Sequence, residues 1–159
     1  MKKNIPMVLL LITPYVLLGI VWKQGLTDVV PAAWGLACLL IFLPNMAYAF
    51  LLLRMGYSEK QLLFWNMLLK LCNIPIYGLV FLMGVLMGVF AIPILIFLVL
   101  FDYSLLLPST MFGLSGLLKA YEVRRISVAT LVVHIIMQFM FCLDVCSSVY
   151  LYLSLRKDK

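Results

Sequence analysis

Residues 61–118 carry only two charges in 58 positions, Lys70 and Asp102. Nothing else in the chain restricts its fold as strongly. About 20 apolar residues suffice to span a hydrocarbon core ~30 Å thick, so this stretch has the length of two crossings with residues to spare. Further apolar runs cover residues 5–22, 31–53 and 127–155. The 159-residue chain is 66% hydrophobic and 11% charged, against roughly 45–50% apolar and about 25% charged residues in soluble domains. Surface-to-volume scaling leaves a soluble domain of this size no way to hide so much apolar surface. A lipid bilayer is therefore the expected solvent, and only helices or closed barrels satisfy their own backbone polar groups there. Continuous apolar runs without period-2 alternation select helices. The expected fold is all-α, a single polytopic transmembrane helical bundle over residues 1–159, with spans at about 5–22, 31–53, 60–86, 91–118 and 127–155. The alternative is four spans, with residues 61–88 re-entrant or interfacial.

The first run exceeds the ~7–15 residues of a signal-peptide core, and Pro31-Ala32-Ala33 is a poor cleavage site, so it reads as a retained span. Pro14 and Pro44-Asn45 predict kinks, and a break is predicted at Asn73-Ile74-Pro75. Residues 54–60 form a loop in which Gly56 reads as a C-terminal cap and Tyr57 or Ser58 precedes the next helix. Gly84-x-x-x-Gly88 matches a close-packing motif, whereas Gly113-x-x-Gly116 has a different spacing. Trp22 and Trp34 read as interfacial anchors, with Trp65 doing the same on the other side.

The formal charge of +6 resides mostly at the ends of apolar runs, where it orients helices and meets anionic headgroups. No basic patch with interleaved aromatics is present, so nucleic acid is not an expected partner. With five spans and the N-terminus inside, Lys2, Lys3, Arg54, Lys60, Lys119, Arg124 and Arg125 are cytoplasmic. Lys23, Arg156, Lys157 and Lys159 are then outside. The four-span alternative divides the charges in the same proportion.

The chemistry lies in the few polar residues inside the runs. Asp102 and Asp144 each lie 21 residues from Val123, the centre of the basic turn 119–125. In an antiparallel hairpin of two unbroken helices they would share one depth. Asn66, Lys70 and Asn73 occupy one helix face, and so do His134 and Gln138, with Asp144 flanking the latter. The expected arrangement is a column with His134 innermost, then Lys70 and Gln138, then Asn73 and the two acids. Ionisable groups at such depth are costly and mark candidate sites. Two readings follow: an internal ion pair of Lys70 with one acid, bridged by the amides, or a proton or cation path through Asp102, Asp144, Lys70, His134, Gln138, Asn66 and Asn73. Pairs of the first kind fix helix register and partner choice.

No catalytic motif is present, whether zinc-protease, nucleophile-elbow, phosphate-loop or dinucleotide fingerprint. With one His, no histidine-based metal cluster is expected, and no metal or cofactor is predicted. Cys38, Cys72, Cys142 and Cys146 read as small buried hydrophobes. They lack the C-x-x-C of membrane disulfide-forming oxidases. The signature motifs of lipoprotein signal peptidases do not occur, and the first span lacks the Glu of small multidrug transporters. Lys70-Leu71-Cys72-Asn73-Ile74-Pro75, Phe141-Cys142-Leu143-Asp144-Val145 and Gly113-Leu114-Ser115-Gly116 resemble stretches of small uncharacterised bacterial multi-spanning membrane proteins. That resemblance implies a multi-pass protein of a bacterial plasma membrane and carries no activity. The expected role is a non-enzymatic subunit or accessory protein that binds a membrane partner or a second copy of itself. The alternative is a proton- or cation-linked small transporter or channel acting as an oligomer, and an intramembrane enzyme using Asp102 and Asp144 ranks third.

Overall fold

The computed structural model describes residues 4–25, 29–87, 92–140 and 143–157. The elements among them are all helical: α1 (Ile5–Gln24), α2 (Val29–Ala37), α3 (Leu43–Arg54), α4 (Glu59–Met87), α5 (Ile92–Glu122), α6 (Val128–Gln138) and α7 (Leu143–Lys157). A π-helical turn, Cys38–Phe42, joins α2 to α3. Four helices are long and apolar enough to cross a membrane: Ile5–Gln24, Val29–Arg54, Glu59–Leu86 and Leu95–Glu122.

The prolines are absorbed locally. Pro44 has no N–H to offer the helix, and the turn before it widens so that Leu43 N–H reaches the Cys38 carbonyl, five residues back. The Asn45 side-chain amide then donates to the Ile41 carbonyl at 2.9 Å. A π turn thus stands just before Pro44, where a kink is expected; such turns are a recognised source of helix irregularity. The break predicted at Pro75 does not occur: α4 runs through it, and the Tyr15 hydroxyl donates to the nearby Cys72 carbonyl. Packing against a neighbouring helix overrides the local signal.

The 54–60 loop is a double cap. Gly56 has φ +78°, and Tyr57 N–H returns to the Leu52 carbonyl at 3.2 Å, which closes α3 in a Schellman motif. Ser58 then opens α4: its Oγ accepts from Gln61 N–H while Gln61 Oε1 accepts from Ser58 N–H, both at 3.3 Å. This is a reciprocal capping box. At the 119–125 turn the left-handed position falls on Arg124, φ +56°, and Arg125 N–H reaches the Ala120 carbonyl at 2.9 Å. A non-glycine residue there carries about 1–2 kcal/mol of strain. Arg124→Gly should therefore raise stability by about 0.5–1 kcal/mol, once glycine's larger unfolded-state entropy is subtracted. Thermal unfolding in detergent measures this, and a lower midpoint would refute it.

The chain forms two compact units. The first comprises residues 1–45 and 72–105. In it Trp34 Nε1 donates to Ser104 Oγ at 3.1 Å, and its ring meets Phe97 edge-on at 5.4 Å. Trp34 is therefore fastened inside the unit, whereas Trp22 is 92% exposed. A cavity of about 400 Å³ lies here, lined by apolar side chains including Leu17, Val30, Met83 and Phe97.

The second unit comprises residues 46–71 and 106–159. Leu63 of α4, Leu117 and Ala120 of α5, and Leu151 and Leu155 of α7 form its core, and Ile126, Leu131 and Ile135 pack on them. This cluster gathers the start of α4, the end of α5, the start of α6 and the end of α7 at one end of the unit. The α6–α7 pair is consequently an antiparallel hairpin that returns to the end from which it set out. That corrects the expectation of one continuous helix over 127–155. In place of one long helix there are two of 11 and 15 residues, each reaching about 16–22 Å at 1.5 Å per residue. The alternative had assigned re-entry to residues 61–88; in the structure α4 is continuous and the C-terminal segment is the one that turns back.

Several polar side chains share the apolar interior, while large apolar side chains cover much of the outside. Lys70, Asn66, Gln138 and Ser148 are wholly buried, while Leu39, Leu40, Phe81 and Ile92 are each more than 60% exposed.

Candidate functional site

The polar residues of the second unit meet at the tip of the α6–α7 hairpin. Helix α6 ends in tightened turns, with Phe139 and Met140 N–H bonding to the Ile136 and Met137 carbonyls at 3.1 and 3.2 Å. Helix α7 opens with Asp144 N–H on the Met140 carbonyl at 3.0 Å. The Gln138 carbonyl accepts from Thr110 Oγ1 of α5 at 3.1 Å. Lys70, eleven residues into α4, lies about 16 Å from that helix's start.

Lys70 Nζ donates to Gln138 Oε1 and stands 3.3 Å from Asp144 Oδ2, with both charged side chains at most 3% exposed. The second contact is an ion pair without hydrogen-bond geometry, since Asp144 Oδ2 has no hydrogen-bond partner among the described residues. The cation sits beside the last residue of α6, and the carboxylate occupies the first turn of α7, which suits both helix dipoles. One turn further from the tip, His134 Nδ1 is 2.8 Å from Ser147 Oγ, and its ring stacks on Tyr150 at 5.4 Å. These contacts tie α6 to α7.

Gly113 of α5 forms the opposite wall. A Cβ there would stand 2.8 Å from both Asn66 Nδ2 and Gln138 Oε1. Gly116 is just as tightly approached by Leu63, so the Gly113-x-x-Gly116 pair does mediate close helix contact despite its non-standard spacing. Asn66 Nδ2 and Oδ1 and Gln138 Nε2 lack hydrogen-bond partners among the described residues.

Of the seven candidates, Lys70, Gln138 and Asp144 meet directly, with Asn66 and His134 beside them. The expected equal depth of Asp102 and Asp144 required an unbroken helix through residues 127–155, and the break removes that premise. Asp144 sits at the level of Lys70, not beyond it. Asp102 and Asn73 belong to the first unit. Asn73 is buried, with Oδ1 unpartnered among the described residues. Asp102 lines a surface cavity of about 270 Å³ with Phe81, Gly84, Val85, Leu95 and Val99. Its Oδ1 is buried without a hydrogen-bond partner, and no cation pairs with it among the described residues. Gly84 leaves that groove open, since only Leu95 Cδ1, at 3.8 Å, approaches it. Gly88, Cys142, Lys2, Lys3 and Lys159, which entered the packing, cysteine and orientation readings, lie outside the described residues. Cys38, Cys72 and Cys146 are free thiols.

Sequence reasoning missed Thr110, Ser147 and Tyr150. Thr110 had a usable signal, three residues before Gly113 in an apolar run; Ser147 and Tyr150 follow only once the hairpin is known.

These observations define a class: a helical protein with four helices of membrane-crossing length and an ion pair shut at the tip of a returning helical hairpin. The chain belongs to the Family of unknown function (DUF6652), whose model matches residues 3–157. No curated protein and no solved structure matches it.

Proposed function

We propose that this is a non-enzymatic, multi-pass subunit of a bacterial plasma membrane, which binds a membrane partner through Asp102. The bilayer assignment is supported by the large apolar side chains outside and by the Lys70–Asp144 pair inside. Connectivity adds to it. If the four long helices each cross once and the α6–α7 hairpin re-enters, ten of the twelve Lys and Arg residues fall on one side. Only Lys23 falls on the other, and Lys70 is buried. Such asymmetry is what the positive-inside rule describes for cytoplasmic loops.

The observation that carries partner binding is the contrast between the two acids. Asp144 is neutralised by Lys70 within its own unit. Asp102 sits in an apolar groove beside Gly84 with no cation among the described residues. A partner helix with one Lys or Arg at that depth would supply the missing charge, and Gly84 would let it approach closely.

The test is energy transfer in liposomes between the labelled protein and an apolar helical peptide carrying one central Lys. The wild type should bind this peptide more tightly than its Leu counterpart, and Asp102→Asn should remove about three- to thirtyfold of the affinity, the range of intramembrane polar contacts. Equal binding of both peptides, or no effect of Asp102→Asn, would overturn the proposal.

A second reading is favoured by the hairpin tip. Half-helices meeting at mid-depth beside unpartnered amides are how transporters build ion and substrate sites. A proton- or cation-linked transporter would show flux in liposomes that Asp144→Asn abolishes. Wild-type liposomes without flux would exclude it.

A further inference from the structure

The cavity of about 400 Å³ in the first unit is walled by four helix ends: the last turns of α1 (Trp22), the first turns of α2 (Val30, Trp34), the end of α4 (Leu79) and the start of α5 (Phe101). Close-packed interiors do not leave voids of that size, which falls within the roughly 300–1,000 Å³ of small-molecule sites. No charged, amide or hydroxyl side chain lines it. The polar side-chain groups on its wall are two indole N–H groups, and that of Trp34 is spent on Ser104 at 3.1 Å. A settled water needs two to four polar partners, so this wall rejects water and suits an apolar occupant. Depth narrows the choice. The innermost lining residues, Leu79 and Phe101, are eight residues from Met87 and nine from Ile92, or about 12–14 Å at 1.5 Å per residue. That is close to half of a ~30 Å hydrocarbon core, the depth of one leaflet. Trp22, 92% exposed, stands at the mouth, as aromatic residues do at headgroup level. The next residue, Lys23, is exposed, and no acid pairs with it among the described residues. It is also the one basic residue that the topology above leaves on this side.

We propose that this cavity takes one acyl chain of an anionic phospholipid from the non-cytoplasmic leaflet, with the headgroup phosphate at Lys23. An unbranched chain matches a wall that is apolar along its whole depth, and an anion at the mouth matches the single cation there. A polar ligand would leave its own donors and acceptors unpaired against the same wall, at a cost that excludes it. The proposal rests on the membrane reading above. It does not use the Asp102 groove, from which Val80 and Leu98, lining both, divide the cavity.

The test uses the full chain in detergent, carrying Trp22→Phe and Trp65→Phe so that Trp34 alone of the three tryptophans remains. Phosphatidylglycerol with brominated acyl chains, which quench indole fluorescence on contact, is titrated at fixed detergent. Trp34 emission should fall and saturate at a single lipid per chain. Adding Val21→Phe/Val30→Phe, which fills the cavity, should weaken binding about tenfold, within the range that overpacking costs. Val85→Phe/Val99→Phe, in the neighbouring groove, should titrate as the parent does. Brominated phosphatidylcholine should bind about fivefold more weakly than phosphatidylglycerol, the effect of one cation near an anionic group, and Lys23→Gln should erase that preference. The proposal is overturned if quenching grows without saturating, if the filled variant titrates like the parent, or if Lys23→Gln leaves the preference unchanged. Should the filled variant not fold, saturation and Lys23→Gln still decide. Failure of the membrane reading would appear separately, as protein that stays dispersed without detergent.

Discussion

Replacing Lys70 with Met is expected to lower stability by about 3 kcal/mol, enough to deplete the folded protein from membranes. Methionine keeps most of the side-chain volume, so the loss is not that of a cavity. It comes from leaving Asp144 buried at the hairpin tip with its only ion-pair partner among the described residues removed. Breaking a buried pair from one side typically costs about 3–5 kcal/mol. We place the effect at the lower end because the unfolded chain in a membrane also finds polar partners. Gln138 loses its donor at the same time, so α6 loses a contact to α4 while α7 carries an unpaired acid. The measurement is the midpoint of thermal unfolding in detergent together with the amount of protein recovered from membranes. A variant as stable and as abundant as the wild type would mean that Asp144 is satisfied by other means.

Gly113→Leu is expected to cost about 3 kcal/mol, the upper part of the range for overpacking a tight interior. Even a single added carbon meets Asn66 and Gln138 at 2.8 Å, and a leucine extends further into the same space. The groups that must move are the far ends of two amides, and one of them is the acceptor that holds Lys70. The effect is therefore coupled to the ion pair as well as steric. Gly113→Ala should accordingly cost less in a Gln138→Ala background, where the colliding amide is gone. Equal costs in both backgrounds would show that the backbone of α5, not the amide, resists the substitution.

Much of the architecture was legible because apolar run length depends on few competing effects. The four long helices follow from it directly, and the caps at Gly56 and Ser58 follow from local hydrogen-bonding chemistry. What could not be read was the turn after Gln138. It contains no glycine or proline, so the run through residues 127–155 looks like one continuous helix. The break is held by contacts from other elements: Thr110 donates to the Gln138 carbonyl, and Lys70 bridges the two half-helices. One sign was available, since an acid in the first turn marks a helix start and Asp144 is such an acid. Its reading as a mid-helix residue underlies the pairing of depths with Asp102, whose premise of one unbroken helix does not hold. Conversely, Pro75 is a strong breaker in isolation, yet α4 passes through it. The polar candidates themselves were recognisable one by one, because each stands alone in hydrocarbon-length sequence. Which of them meet was a question of topology, and the returning hairpin answered it.

Lys70 and Asp144 act as one neutral unit at the hairpin tip. The direct measurement is a double-mutant cycle of Lys70→Met, Asp144→Leu and the two together, read by thermal unfolding in detergent. Replacing a buried pair by apolar residues of similar size is often neutral or stabilising. The double variant should therefore recover most of what either single variant loses, with a coupling of at least about 2 kcal/mol. Additive losses, with coupling within about 0.5 kcal/mol of zero, would contradict the pairing and the account built on it.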